Sequence, residues 1–175
     1  MAGNYPERFT KLILASAVSK KWLSENDKVF EIANKIFNPF SEKLTWGLIR
    51  MLSGIFPRLI AESFYPNFTK NLKHNLTKKD ILELIKTIRK FRSKKGFIND
   101  INQNIDDNII QKIECPTLII HSESDNIVPI EFAKYSNSKI KNFKLEVLNN
   151  EWGHLFWIGD DSKNSITKTI NFIEE

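Results

Sequence analysis

Hydrophobic and polar residues follow two patterns along the chain, one typical of buried strands and one typical of amphipathic helices. Three segments are short and rich in apolar residues, as strands covered on both faces of a parallel sheet are: residues 9–17, 116–122 and 143–149. In the third segment apolar and polar residues alternate from Phe143 to Leu148, which also favours a strand. The pattern therefore predicts three strands, the first two far apart in the chain.

The long stretch between the first two strands has helical periodicity. A box-like N-cap at residues 24–27 precedes apolar residues at helical spacing: Val29, Ile32, Ala33, Ile36 and Phe37. Residues 41–56 also indicate a helix. A second box, Thr77 to Asp80, precedes another apolar stripe: Ile81, Leu84, Ile85, Ile88 and Phe91.

Helices also follow the second and third strands. Pro129 is suited to the first turn of a short helix, and a final helix carries Ile166, Ile170 and Ile173 on one face. Strands that alternate with helices predict an α/β fold with a parallel sheet and right-handed crossovers. Residues 22–105 are too long for one crossover. We therefore predict a core formed by residues 1–21 and 106–175, with residues 22–105 as an inserted helical subdomain.

Composition narrows the class of protein. Hydrophobic residues make up 41% of the 175 residues and charged residues 27%, values typical of a globular domain. No apolar run approaches the roughly 20 residues that span a bilayer, and the first residues contain no apolar signal-peptide region. Cys115 is the single cysteine, which excludes an internal disulfide and fits a reducing compartment. These features predict a cytoplasmic protein without a membrane partner.

The net charge of +5 raises the alternative of nucleic-acid binding. The basic residues concentrate in two stretches, from Lys70 to Lys79 and from Arg89 to Lys95. Because they alternate with an apolar helical stripe and form no binding motif, the pattern favours solvated helix faces and loops. We therefore predict no nucleic-acid partner.

Candidate chemistry lies where strands end. In an open α/β sheet, ligands bind beyond the C-terminal ends of the strands. Asp125 follows the second predicted strand, and His154 follows the third within Trp152-Gly153-His154. A carboxylate bonded to one imidazole nitrogen fixes the tautomer and leaves the other nitrogen free to take a proton from a nucleophile. We therefore predict that Asp125 and His154 form a catalytic pair.

The same segments carry a resemblance to a known family. Ile113 to Pro129 resembles the segment around the triad acid of α/β-hydrolases, Trp152 to His154 resembles their histidine segment, and Tyr5 to Leu14 resembles the approach to their sixth strand. The resemblance implies a partial α/β-hydrolase fold with the sixth to eighth strands, and it implies that residues 22–105 are the family's cap. Ser122 departs from the family, which usually has glycine there.

The nucleophile of that family is missing from this chain. It lies in Gly-x-Ser-x-Gly on a strand-to-helix turn before the acid and the histidine, and this motif does not occur here. By the family's pattern the serine would precede Met1, so Met1 resembles an internal methionine of a longer hydrolase. Ser16 and Ser122 lack the glycines of such a turn, so the sequence disfavours both as substitutes.

Other residues give weaker signals. Trp46 and Phe56 are candidates to line an apolar acyl pocket beneath the cap, with Trp157 on its other side, although such residues also serve as plain core. His121 is a candidate for the mouth of the site, but a histidine hydrogen-bonded at a strand end is the favoured interpretation. No metal-ligand spacing, phosphate loop or dinucleotide fingerprint is present, so we expect no cofactor and no metal.

Two function classes follow. In the first, the chain is the C-terminal part of a hydrolase whose full-length parent cleaves an ester, thioester or lactone of a small acyl substrate by a Ser-His-Asp mechanism. His154 is its general base and Asp125 orients that base; this chain alone is inactive and needs a complementary N-terminal fragment. In the second, the same partial fold is a noncatalytic module that binds a ligand or partner. Cap shape sets the substrate, and the sequence does not reveal that shape.

Overall fold

The computed structural model describes residues 1–22, 39–72, 75–91, 96–102 and 106–175. These residues fall into two compact units. The sheet unit comprises residues 1–20, 66–74 and 105–175, and the helical unit comprises residues 21–65 and 75–104. Assignment of residues 22–105 to a cap stays a prediction, and the predicted N-cap and helix at residues 24–38 lie outside the described residues.

Three strands form the sheet in the described part of the sheet unit: β1 (Leu12–Ala15), β2 (Thr117–Ser122) and β3 (Phe143–Leu148). They run parallel in the order β1-β2-β3, so the predicted parallel α/β fold is confirmed. The register pairs Thr117 with Leu12 on one side and with Phe143 on the other. β2 is buried along its whole length, as its continuous apolar sequence predicts.

Strand β1 is shorter than the predicted segment 9–17. A 3₁₀ turn at Pro6–Arg8 precedes it, and Phe9 lies just after that turn. Ser16 ends the strand because its φ of +43° lies in the left-handed region, which no extended strand adopts.

The sheet carries a hydrophobic cluster on each face. On one face β1 packs with the helices α5 (Asp107–Gln111) and α6 (Glu131–Lys139) through Ala2, Phe9, Leu12, Leu14, Ile110, Ile113, Cys115, Tyr135 and Ile140. On the other face it packs with the last helix, α7 (Ser162–Glu174), through Ile13, Leu118, Ile120, Leu148, Phe156 and Phe172. Ile166, Ile170 and Ile173 share one face of α7, as predicted, but they stay exposed because Ser165 and Phe172 occupy its buried face.

The remaining helices are α1 (Pro39–Ile55), α2 (Pro57–Phe68), α3 (Lys78–Ile88) and α4 (Gly96–Asn102). The predicted capping box begins α3: the Thr77 side chain accepts a hydrogen bond from Asp80 N, and Asp80 Oδ2 accepts one from Thr77 N. Its stripe of Ile81, Leu84, Ile85 and Ile88 is buried, as its spacing predicts. In the part of the chain that the structure describes, no helix has the length and apolar character needed to cross a membrane.

Candidate active site

Two loops at the C-terminal edge of the sheet bring Asp125 and His154 together. Asp125 lies three residues beyond β2, and His154 lies in a 3₁₀ turn, Gly153–Leu155, that follows β3. His154 Nδ1 is 2.9 Å from Asp125 Oδ2, a hydrogen-bonding distance. The structure therefore places the two residues as the strand-end argument predicts, while their catalytic role stays a prediction.

The loop of residues 123–130, which follows β2 and is called the acid loop, holds the Asp125 carboxylate through its own backbone. Asp125 is 0% exposed, and its Oδ1 accepts hydrogen bonds from Ile127 N and Val128 N, both at 2.8 Å. Such local bonds from an aspartate to the backbone ahead of it form an Asx turn. Because Oδ1 is occupied by the loop, Oδ2 is the oxygen that faces His154.

The site keeps Asp125 ionised. Burial alone would raise the pKa of its carboxyl, but the hydrogen bond and charge of His154 and the N–H groups of Val128 and Ile127 outweigh burial and hold the pKa below its ordinary value. A carboxylate can only accept, so His154 Nδ1 carries the proton that it donates to Oδ2. In the neutral imidazole, Nε2 is then the unprotonated nitrogen that can accept a proton.

The histidine turn requires glycine at position 153. Its φ is +54°, and a Cβ at this position would lie 2.4 Å from Phe68 O and 2.7 Å from Ser124 O. No side chain fits in that space, and the left-handed backbone favours glycine as well. Gly153 therefore lets the turn press against the acid loop and brings His154 within reach of Asp125.

A third segment lies against the site, and no pattern in the sequence predicts it. The C-terminal end of α2 and the residues after it lie along the acid loop, with Lys70 N donating to Ser124 O at 2.7 Å and Asn126 N donating to Phe68 O at 3.2 Å. The Asn126 side chain also donates to Pro66 O at 2.8 Å. These bonds tie the acid loop to residues roughly 55 positions earlier in the chain, a separation beyond local sequence patterns.

The predicted pocket residues lie in different units. Trp157, in the sheet unit, is exposed, and its ring meets that of His154 edge to face at 6.0 Å between centroids. Trp46 and Phe56 belong to the helical unit, where Trp46 packs against the rings of Phe64 and Phe91 and Phe56 is exposed. Their role in a pocket stays a prediction.

The two serines weighed as substitute nucleophiles are both buried. Ser122 Oγ accepts a hydrogen bond from Ser124 N at 3.1 Å within the acid loop. Ser16 Oγ and the Asn150 side-chain amide have no hydrogen-bond partner among the described residues, although both side chains are buried. Both residues follow strand ends, so the orphaned polar groups lie at the edge that carries Asp125 and His154. Among the described residues no cluster of His, Cys, Asp and Glu could hold a metal ion.

No protein-family model matches the chain. The chain is 34% identical to the uncharacterized hydrolase YcgS of Bacillus subtilis (strain 168), over 99% of this chain and 63% of that protein. It therefore spans less than two thirds of the length of this relative.

The chain also spans less than two thirds of the length of similar solved structures. The α/β hydrolase fold protein from Nakamurella multipartita matches with a TM-score of 0.69 and 21% identity, over 98% of this chain and 63% of its own. The esterase from Exiguobacterium antarcticum matches with a TM-score of 0.63 and 18% identity, over 99% and 62%. The bromoperoxidase from Bacillus anthracis matches with a TM-score of 0.65 and 20% identity, over 96% and 59%. The chain belongs to the α/β-hydrolase superfamily, and it carries the C-terminal portion of that fold.

Proposed function

We propose that this chain supplies the general base and its orienting acid to a serine hydrolase that cleaves an ester, thioester or lactone. The observation that carries the proposal is the 2.9 Å bond between His154 Nδ1 and the fully buried Asp125 Oδ2. The His154 side chain is 22% exposed, so a reactant can approach Nε2 while the acid stays shielded from water. The hydrolase relative and the esterase of similar fold support the reaction class.

The geometry suits acyl transfer in two steps. In the first, the proton of a serine hydroxyl passes to His154 Nε2 while the serine oxygen bonds to the acyl carbon; the imidazolium then protonates the departing alkoxide or thiolate. In the second, water gives a proton to Nε2 and its oxygen attacks the acyl carbon, and that proton returns to the serine as the acid leaves. Asp125 stabilises the imidazolium in both steps and stays ionised.

The nucleophile, in this proposal, comes from a polypeptide segment that pairs with the free edge of β1. Leu12 N donates to Pro116 O and Ser16 N donates to Ile120 O, so alternate residues of β1 face β2. The N–H and C=O groups of Ile13 and Ala15 therefore point away from β2, and no strand in the described residues pairs with them. A strand added there would end beside the loops of Asp125 and His154.

The test is complementation. The chain is assayed alone and together with the segment of the Bacillus subtilis relative that has no counterpart here, using p-nitrophenyl butyrate as substrate and a fluorophosphonate to label the serine. We expect no turnover from the chain alone, turnover and labelling from the mixture, and a loss of about 10³–10⁴-fold in kcat for Asp125→Asn. Glu123→Gln, at an exposed carboxylate of the same loop, is the matched control and should leave kcat unchanged.

Turnover by the chain alone that disappears in His154→Ala would contradict the external nucleophile and return attention to Ser16 and Ser122. A stable complex without turnover or labelling would instead favour the noncatalytic binding module.

A further inference from the structure

A second histidine lies against the catalytic pair, and the two-step reaction does not use it. His121 is the penultimate residue of β2 and is 1% exposed. Its Nε2 is 2.8 Å from Val128 O and 3.5 Å from Asp125 Oδ2, the oxygen that His154 also faces. One carboxylate oxygen is therefore approached by the imidazoles of two histidines.

The partners of His121 determine its tautomer. A backbone carbonyl can only accept, so Nε2 must carry the hydrogen that it donates to Val128 O. The same nitrogen lies 3.5 Å from Asp125 Oδ2, farther than the 2.9 Å that separates Oδ2 from His154 Nδ1. His121 therefore lies beside the carboxylate without taking the bond that His154 makes.

Val128 links His121 to the acid through its two backbone groups. Its carbonyl accepts from His121 Nε2 at 2.8 Å, and its N–H donates to Asp125 Oδ1 at 2.8 Å. By holding the Val128 carbonyl from β2, His121 also fixes the position of the Val128 N–H, which donates to Asp125 Oδ1. With Oδ1 fixed, the rotation of the carboxylate is fixed, and Oδ2 stays directed at His154.

We propose that His121 is a positioning residue for catalysis: it holds Val128 and the Asp125 carboxylate so that Oδ2 is presented to His154. This inference rests on the proposed function, because the orientation of Oδ2 matters to chemistry only if the pair is catalytic. His121 touches no reacting atom. Its expected effect is on the bond between Asp125 and His154, and through that bond on kcat.

The surroundings of His121 favour its neutral form, which suits a positioning role. Burial lowers the pKa of His121 below its ordinary value, as does the charge of His154, against opposing effects of Val128 O, Asp125 and Glu131. Because His121 is neutral, the imidazolium of His154 is the one charged histidine among the described residues that interacts with the Asp125 carboxylate. A charged His121 would compete for that carboxylate.

The test compares His121→Leu, which cannot donate, with His121→Gln, whose amide can donate to Val128 O. The readout is the proton resonance of His154 Nδ1–H in the ¹⁵N-labelled chain, with the complementing segment present where the chain needs it for solubility. We expect a far-downfield resonance in the wild type, its loss in His121→Leu and its retention in His121→Gln. Ile120→Val, a destabilising change at the neighbouring buried position of β2, is the control and should retain it.

Kinetics of the complemented enzyme give the second readout. We expect His121→Leu to lower kcat at least about tenfold with KM little changed, and His121→Gln to recover most of the loss. A purely structural role would lower the amount of folded enzyme in His121→Leu and Ile120→Val alike and would leave the resonance in place.

Each outcome has a distinct meaning. A His154 resonance that persists unchanged in His121→Leu overturns the positioning role and leaves the proposed function intact. Absence of the resonance from the wild type overturns both. If His121→Leu does not fold, His121→Phe replaces it, and hydrogen exchange of the Ile127 and Val128 amides is measured relative to that of the Ile120 amide. We expect this relative exchange to be at least about tenfold faster in His121→Phe than in the wild type. A smaller increase, or failure of both apolar variants to fold, overturns the proposal.

Discussion

The two oxygens of Asp125 are bonded to different parts of the molecule. Oδ1 accepts from the backbone of its own loop, and Oδ2 accepts from His154, a residue of another loop. The carboxylate therefore holds the loop together as well as orienting the histidine. Stability and activity should both depend on it, and different substitutions should separate the two.

Removal of the carboxylate should destabilise the fold. Asp125→Ala leaves the N–H groups of Ile127 and Val128 without their acceptor, and an unsatisfied buried donor costs about 1–3 kcal/mol. We expect the free energy of unfolding to fall by about 2–4 kcal/mol in urea titration, and by less in Asp125→Asn, which keeps an oxygen. Glu123→Ala on the same loop should change it by less than about 0.5 kcal/mol, and an equal effect of both would contradict this account.

Acid should destabilise the protein in two stages. The pKa of His121 is lowered in the fold, so the unfolded chain takes up a proton first: stability is full above about pH 6.5 and falls as pH drops from there toward the folded pKa, by at most about 1.4 kcal/mol per pH unit. The pKa of Asp125 is also lowered, so its contribution is present above about pH 3.9 and is lost as pH falls through the folded pKa.

The first stage is measurable by urea titration at several values between pH 7.5 and 5. The His121→Gln variant should give a flatter profile than the wild type in this range because it has no group to titrate there. Identical profiles would show that His121 is not the group responsible.

At the scale of elements, the site is a contact between three loops. The acid loop after β2 contacts both the residues at the C-terminal end of α2 and the histidine turn after β3, and Gly153 lets that turn approach Phe68 and Ser124 closely. The end of β2 that leads into the acid loop is held firmly, because β2 is paired on both sides and buried. The register of β2 and β3 therefore sets the relative positions of the acid loop and the histidine turn.

Replacement of Gly153 should be severe. In Gly153→Ala the new Cβ meets backbone atoms of Phe68, Ser124 and Thr69 below 3 Å, and the φ of +54° adds about 1 kcal/mol of strain. We expect a loss of more than about 3 kcal/mol in the free energy of unfolding, or failure to fold. Gly47→Ala in α1, where a Cβ meets nothing within 4 Å, should be neutral or stabilise by up to about 1 kcal/mol. A mild effect at Gly153 would indicate that the turn can move.

Much of this fold could be predicted because its signals are local. The strand β2, the capping box at Thr77 and the placement of Asp125 and His154 depend on patterns within a few residues or on the rule that parallel strands end at one edge. The contact between Phe68 and Asn126 could not be predicted, since the two residues are distant in sequence and neither belongs to a periodic pattern. The left-handed Ser16 was also missed, because serine seldom adopts that conformation.

At the scale of the whole molecule, the central strand of the sheet is more deeply buried than its β1 edge. β2 is buried throughout, whereas Leu12, Ile13 and Leu14 are half-buried and Ala15 is exposed. An apolar strand with unpaired backbone groups is a template for association. The proposed complementing segment would cover this edge.

Expressed alone, the chain should therefore be poorly soluble or oligomeric. Size-exclusion chromatography with light scattering measures this directly. Ala15→Lys places a charge on the free edge and should shift the chain toward monomer, whereas Thr10→Lys, at an exposed position just before β1, should not. A sharp monomer peak with a cooperative melt in the wild type would show that the edge needs no partner.

The pairing of Thr69 with Asp125 has a consequence for the order of folding. Bringing Thr69 to the acid loop closes a loop of roughly 55 residues, and bringing Gly153 to Phe68 closes one of roughly 85, each at an entropic cost that grows with the logarithm of length. Pairing of β2 with β3 brings Thr117 to Phe143 and closes a loop of only about 26 residues, so its entropic cost is smaller. We therefore expect β2 and β3 to pair before the contacts of Thr69 and Gly153 form, so that partly folded chains hold this strand pair and no assembled pair of Asp125 and His154.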